Sequence, residues 1–455
     1  MSTNQKSSGS ESLLFAGDIH QSNSRRALRP ENRPGGAVAI SVGYGVNVNH
    51  VAAANSRLDR INESVISLLD YCRKNNWAGF DPYDALNSRV FAHTPFTKSR
   101  ICRIAITQVM KRLPINLRAI LSVPREQNPK ALALFASALI RLQGLCLARE
   151  EEMVQSVINR LIELRTSKSP FFCWGYNFAW QNRVELVPKF APNIICTTFA
   201  ANALLDVFGR YPKPEYLDMA VSAGRFLLSG LNITEVDGGL CFSYTQSDHS
   251  QVHNANLLGA ALLSRLYTLT GEKSYVDFAL RAARFSISRQ NADGSWHYGE
   301  LPTQRWIDNF HTGYNLCALR SISQNVGTKE FDSHIRRGFE FYRRHFFRKD
   351  GAPKYFHDRL YPIDIHNVAQ SIITLLSLKD LDEESVSLAL SVFNWAITYM
   401  RDEKGHFYYQ TLPFYKNKIS YMRWSQAWML LALSTLLEHC EKNTEMGHGN
   451  ANQRS

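Results

Sequence analysis

A segment of about fifty-five residues recurs through the second half of this chain, and a period of that length constrains the fold more than any other feature. Histidine or tryptophan marks the same point of each copy. His253 lies in Val252-His253-Asn254-Ala255-Asn256, His311 in Asp308-Asn309-Phe310-His311, His366 in Asp364-Ile365-His366-Asn367, and Trp424 in Met422-Arg423-Trp424, at steps of 58, 55 and 58. A second series keeps nearly the same step: Asp237-Gly238-Gly239, Asp293-Gly294-Ser295-Trp296, Asp350-Gly351-Ala352 and Glu403-Lys404-Gly405, spaced 56, 57 and 53 apart. A unit of this size is one supersecondary element that cannot bury its apolar face alone, so copies must stack. If they stack in a ring, equivalent polar residues meet at one end, which becomes the place to look for a site.

Apolar spacing predicts helices near 57–74, 97–113, 130–144, 149–166, 193–208, 213–229, 253–269, 273–289, 308–323, 328–346, 364–379, 383–400 and 421–438. From 193 onward they alternate in character. Asn254 to Leu263 is apolar nearly all round, which means burial on every side. Tyr275 to Arg284 is amphipathic, with one face for the core and one for water. Alternation of this kind implies an inner ring wrapped by an outer ring. Six inner helices begin near 130, 193, 253, 308, 364 and 421, and five outer ones near 149, 213, 273, 328 and 383. The helix 57–74 can supply the sixth outer member by packing beside 421–438, and 97–113 belongs to a segment leading into the ring. The expected fold is all-α, an (α/α)6 toroid of helical hairpins over 55–440, with short β-hairpin-like loops at one rim. Residues 1–50, rich in Ser, Asn, Arg and Gly, and residues 441–455 are expected to be disordered arms.

Composition narrows the class only broadly. The chain of 455 residues is 45% hydrophobic and 20% charged, ordinary for a globular protein. Its formal charge of +12 fits either a solvated basic surface or attraction to acidic polysaccharide, membrane or nucleic acid, but no nucleic-acid motif is present. The eight cysteines form no Cys-x-x-Cys pair and read as reduced thiols. No secretory leader and no apolar run of membrane-spanning length is visible, so the expected location is the cytoplasm, with peripheral attachment to the inner membrane left open.

Two resemblances follow from particular segments. Arg281-Ala282-Ala283-Arg284-Phe285 to Gln290-Asn291-Ala292-Asp293-Gly294-Ser295-Trp296 resembles the Gln-Trp repeat of triterpene cyclases, where Gln caps a helix end and Trp packs beneath the turn. The Asp-x-Asp-Asp acid that a cyclase uses on its substrate is absent here. Over roughly 115–440, the segments Asn128 to Leu134, Trp174-Gly175-Tyr176-Asn177-Phe178-Ala179-Trp180-Gln181, Val252 to Asn256, Gln304 to Tyr314 and Tyr421 to Trp428 look like six-hairpin proteins encoded with bacterial exopolysaccharide and O-antigen machinery. Asn177 and Ala179 depart from that pattern, where Pro and Asp are expected. The resemblance implies a role with glycans and membrane-associated polysaccharide assembly proteins; it transfers no reaction.

The candidate site is the end of the ring where inner helices start. Its proposed catalytic groups are His311, Asp308, His253, His366, Tyr314 and Tyr176. Substrate contacts are expected from Trp174, Trp180, Gln181, Asn254, Asn256, Arg305, Trp306, Asp364, Asn367, Arg423, Trp424 and Gln426. Aromatic faces stack on a pyranose, while Asn, Gln, Arg and His present donors to hydroxyls and carboxylates. Arg305 and Arg423 suit a bidentate clamp on a uronate, and helix N-termini add positive potential. Each acidic residue also has a plain structural use, since Asp308 and Asp364 sit where helix N-caps are expected. No metal or other cofactor is called for. The leading expectation is an enzyme acting on an acidic or lipid-linked glycan, either a uronate lyase or C5-epimerase using His or Tyr as base, or a glycoside hydrolase using the pair Asp308 and Asp364. The alternatives are a non-catalytic glycan-binding scaffold and a terpene-cyclase-like toroid. Sugar identity and oligomeric state are not written in the sequence.

Overall fold

Helix pairs follow one another from residue 129 to the last described helix. The computed structural model describes residues 48–452 apart from Arg149 and residues 182–184, with side chains over 56–443. The arm expected over 1–50 therefore falls outside the described residues as far as position 47.

The described part opens with α1 (Val48–Lys74), β1 (Ala78–Gly79), a short α2 (Arg89–Ala92), α3 (Arg100–Arg112) and β2 (Glu126–Gln127). Then come the pairs α4 (Pro129–Gly144) and α5 (Glu151–Glu163), followed after β3 (Trp180–Gln181) and β4 (Leu186–Val187) by α6 (Ile194–Arg210) and α7 (Pro214–Ser229). After β5 (Ile233–Val236) and β6 (Gly239–Phe242) come α8 (His253–Thr270) and α9 (Lys273–Ser288), then α10 (Asn309–Val326) and α11 (Asp332–Phe346). β7 (Ile363–Asp364), α12 (Ile365–Ser377), α13 (Ser385–Tyr399), β8 (Gln410–Thr411), β9 (Lys416–Asn417) and α14 (Trp428–Asn452) complete the order. A turn of π-helix, Met422–Ala427, opens α14.

The even-numbered helices from α4 to α14 pack each on the next, and α14 packs on α4, which closes an inner ring. They are apolar because both flanks and the outer face are covered; α8 buries Leu257, Leu262, Leu263 and Leu266 completely, each burial stabilising by about 2 kcal/mol. The outer helices lie against them. The turn glycines show how outer neighbours are spaced. Gly294, Gly351 and Gly405 all have positive φ, which only glycine adopts without strain. A Cβ there would meet the backbone of the following outer helix: Arg337 of α11, Ser391 of α13 and, for Gly405, Ser67 of α1. α1 therefore holds the sixth outer position. Gln290 ties the same turn down, donating from Nε2 to the carbonyls of Gly294 and His334, while Trp296 is buried and donates to Ser286 O.

The strands are short antiparallel pairs, β1 with β2, β3 with β4, β5 with β6, and β8 with both β7 and β9. Single bridges join the residue before an inner helix to the loop of the next repeat, as Asn193 to Thr245, Val252 to Gly299 and Asp308 to Phe356. The first N–H of an inner helix donates to an aromatic residue's carbonyl in that loop: Ile194 to Tyr244, His253 to Tyr298, Asn309 to Tyr355, Ile365 to Tyr409 and Met422 to Phe80. α4 begins with Pro129, which has no N–H to place.

Two departures concern the ends. Residues 441–452, expected as a disordered tail, continue α14; the stretch contains no Pro, and Lys442 pairs with Glu438 one turn back. The leading segment is also more than a connection. α3 rests on a small separate core of Ala85, Met110 and Val123. Cys72, Cys173, Cys196 and Cys241 are buried thiols. Among the described residues no helix is long and apolar enough to cross a membrane.

Candidate active site

The inner helices begin around a cavity of about 430 Å³. Its floor is set by one register position. The second residue of every inner helix lines it: Lys130, Ile195, Asn254, Phe310, His366 and, in the π-turn, Arg423. Tyr176, Phe178 and Trp180 from the loop before α6 form one wall, and Tyr244, Tyr298, Trp306, Tyr355 and Phe356 from later loops form others. Tyr83 and Lys111 reach in from the leading segment, and His311, Tyr314 and Trp424 complete the lining. No Asp or Glu is among these residues.

His311 is the best-prepared reactive group. Asp308 caps α10 by accepting the His311 backbone N–H at 3.0 Å, and its other oxygen accepts from His311 Nδ1 at 2.7 Å and Trp306 Nε1 at 2.9 Å. Asp308 is buried and His311 partly open. A carboxylate on Nδ1 fixes the proton there and leaves the Nε2 lone pair free, the arrangement of an oriented general base. Trp306 is itself held flat on Tyr298, ring centroids 4.5 Å apart.

Tyr314 and His366 form a second proton-carrying pair, Oη to Nε2 at 2.5 Å. Burial, with Lys130, Arg423 and His311 nearby, holds His366 well below the usual imidazole range, so its ring is neutral. Burial pushes the Tyr314 hydroxyl up, so it stays protonated. His366 Nδ1 is buried with no hydrogen-bond partner among the described residues.

The floor is cationic. Arg423 is buried and held by Asp81 through two bonds of 2.6 and 2.8 Å, with its guanidinium 5.1 Å from the Tyr176 ring. Lys130 Nζ lies over Phe199 at 4.3 Å and Trp428 at 5.2 Å, with no ion pair among the described residues. Burial first, and then Arg423, push its pKa down to about 7. Lys111 Nζ bonds Tyr83 Oη at 2.6 Å.

The expected residues divide accordingly. His311, His366, Tyr314, Tyr176, Trp180, Asn254, Trp306, Arg423 and Trp424 line the cavity, with Asp308 directly behind His311. His253 does not. It is the first residue of α8, its ring near Phe285 and its Nε2 2.9 Å from Glu300. His366 is second in its helix and His311 third, so at 100° per residue the three rings point in different directions. Asn256 and Gln426 are staples: Asn256 accepts Phe242 N–H and donates to Ala282 O, and Gln426 accepts Phe407 N–H and donates back to its carbonyl. Trp174 is core, its Nε1 bonded to Leu161 O. Gln181 is engaged by Arg103, and Arg305 is exposed, away from the lining. Asn367 is buried outside the cavity. Asp364 caps α12 and accepts Trp424 Nε1 and Gln410 Nε2; burial pushes it up to about 6. The hydrolase pair Asp308 and Asp364 thus fails as a pair facing substrate, because both carboxylates lie behind the lining with their oxygens committed to N–H donors.

Sequence reasoning missed Lys130, Lys111, Tyr83, Phe178 and the tyrosines 244, 298 and 355. The last three, with Tyr409, recur at steps of 54, 57 and 54, a third periodic series that was there to be found.

Comparison with solved structures bears on the architecture. A glycoside hydrolase family 76 α-mannanase from Bacteroides thetaiotaomicron superposes with a TM-score of 0.55 at 13% identity, over 71% of this chain and 90% of that one. Cellobiose 2-epimerase from Bacillus thermoamylovorans gives 0.54 at 11%, covering 70% and 90%. A D-mannose isomerase gives 0.51 at 12%, covering 68% and 87%. No protein-family model and no curated protein matches the sequence. The chain has the six-hairpin toroid fold of these enzymes. At such identities the likeness speaks for the fold and leaves the chemistry to the residues.

Proposed function

We propose that this protein is a carbohydrate-active enzyme that moves a proton on carbon in an acidic sugar, as an epimerase, isomerase or lyase does, within the making or processing of an acidic or lipid-linked glycan. The observation that carries the reading is His311: an imidazole with Nδ1 held by a buried carboxylate, in the lining of an aromatic cavity that contains no acid. Glycoside hydrolysis by paired carboxylates lacks both of its groups here. Carbocation cyclisation fits the aromatic walls, but Lys130, Lys111 and Arg423 would repel the cation.

The steps follow from the groups present. Aromatic faces hold the sugar ring. Lys130, beside Arg423, receives the carboxylate and, by neutralising it, acidifies the adjacent C–H. His311 Nε2 takes that proton, leaving an enolate whose negative charge faces the cationic floor. The Tyr314–His366 pair returns a proton to carbon for epimerisation, or to a departing oxygen for elimination. Relatives of this fold named as epimerase and isomerase act on sugars, which is consistent with this reading.

Solvent deuterium tests it without knowledge of the product. In D2O the protein should wash deuterium into at least one member of a panel of uronates, hexoses and sugar phosphates, read by mass spectrometry, and His311→Gln should abolish the exchange. Binding of a uronate with no exchange in the wild type would favour a glycan-binding module and sink the enzymatic reading.

A further inference from the structure

The forty-one residues from Ala85 to Arg125 contain eight Lys or Arg and no Asp or Glu. A segment of that length with one sign of charge has a strong local potential, and here it also carries apolar side chains into water. On α3, Ile101, Ile104, Ala105 and Val109 are exposed at i, i+3, i+4 and i+8, one stripe of the helix. The opposite face supplies Met110 to the small core with Ala85 and Val123, so the stripe is the outward side. Turns on either side add Phe96 and Ile120, and exposures of 78% for Ile101, 75% for Ile120 and 58% for Phe96 rule out partial burial as their explanation. Arg89, Lys98, Arg112 and Arg125 stand exposed around them.

We propose that α3 and its flanking turns are the face by which this protein docks on an anionic lipid bilayer. Exposed aliphatic and aromatic groups on a segment whose only charges are cations match an interface with acyl chains below and lipid phosphates around. A nucleic acid would use the cations and leave Ile101 and Ile120 in water. The chain's own residues 1–47 are a poor occupant, since they carry five Lys or Arg against three Asp or Glu and would meet like charge. A second copy would bring the same basic segment against itself.

The placement links docking to the cavity. Lys111 on α3 lines it, Arg103 bonds Gln181 of β3, and Tyr415 and Asn417 bond the carbonyls of Arg112 and Leu113. A bilayer on α3 would lie beside the rim loops, where a lipid-linked sugar could enter. The docking inference itself stands whether or not the proton-transfer reading does.

Vesicle co-sedimentation of the full chain tests it. Binding is expected to phosphatidylglycerol-containing vesicles and not to pure phosphatidylcholine. It should weaken when salt rises from about 0.1 M to about 1 M, which shortens screening from roughly 10 to roughly 3 Å. Ile101→Glu with Ile120→Glu, at positions too exposed to support the fold, should cut the partition coefficient at least tenfold with an unchanged circular dichroism spectrum. The inference is overturned by equal binding to neutral vesicles, by no binding to anionic ones, or by full binding of the double variant. It is also overturned if sedimentation without lipid shows self-association that the double variant abolishes, since a second copy would then own the face.

Discussion

Replacing Asp308 by Asn isolates the role of His311 at atomic cost that can be worked out beforehand. Asp308 accepts three N–H groups, at 2.9 Å from the Trp306 indole, 3.0 Å from the His311 backbone and 2.7 Å from His311 Nδ1. An amide has one acceptor oxygen. If that oxygen keeps the helix cap, its –NH2 faces Nδ1 and the indole N–H. Two donors cannot meet, so the imidazole proton moves from Nδ1 to Nε2, and the atom facing the cavity loses its lone pair. The indole N–H without an acceptor costs about 1–3 kcal/mol, and a charge-assisted bond turned neutral costs about 1 kcal/mol more. With about 2.1 cal/mol/K of unfolding entropy per residue over about 400 residues, the midpoint should fall by roughly 2–5 °C. The chemistry should suffer far more, by about 10⁴ in deuterium exchange, the loss seen when a triad histidine is put in the wrong tautomer. Long-range 15N NMR of the histidines reads the tautomer directly and needs no substrate. An Asp308→Asn variant whose His311 keeps its proton on Nδ1, or which exchanges deuterium within about threefold of wild type, would refute the assignment of His311 as oriented base.

Two further outcomes follow. Gly405→Ala puts a Cβ 2.7 Å from Ser67 O at φ +89°, whereas Gly271→Ala at φ +71° meets nothing within 4 Å; the first should cost at least 1 kcal/mol more than the second, which is expected near 1 kcal/mol, and equal losses in denaturant unfolding would mean α1 does not hold the sixth outer place. Lys130, at about 7 in the fold against 10.5 in the open chain, lets the unfolded state bind the extra proton between those values, so its own contribution to stability should rise with pH across that window, read as the difference between wild type and Lys130→Met because buried thiols such as Cys72, pushed up from their usual value of 9.0, act with the opposite sign. Uronate affinity should move the opposite way, falling as pH climbs through about 7, and Lys130→Met should flatten that binding profile; calorimetry at several pH values checks each.

The sequence by itself determined the architecture. A period near fifty-six residues, apolar helices alternating with amphipathic ones, and Asp-Gly turns at the same step leave stacked hairpins as the solution, and an unpaired first helix supplies what the ring lacks. Those signals are legible because they rest on local chemistry, glycine's freedom at positive φ and the burial demanded by an all-apolar helix. His311, Tyr314, Arg423 and Trp424 were legible too, as polar or aromatic groups at helix starts. The tertiary structure decided which of the candidates share a cavity. Aligning on histidine sets His253, His366 and His311 at the first, second and third positions of their helices, and one residue turns a side chain through 100°. Only the closed ring shows that the second position faces inward six times, putting Lys130 on the floor while His253, Asn256 and Gln426 hold the walls from behind.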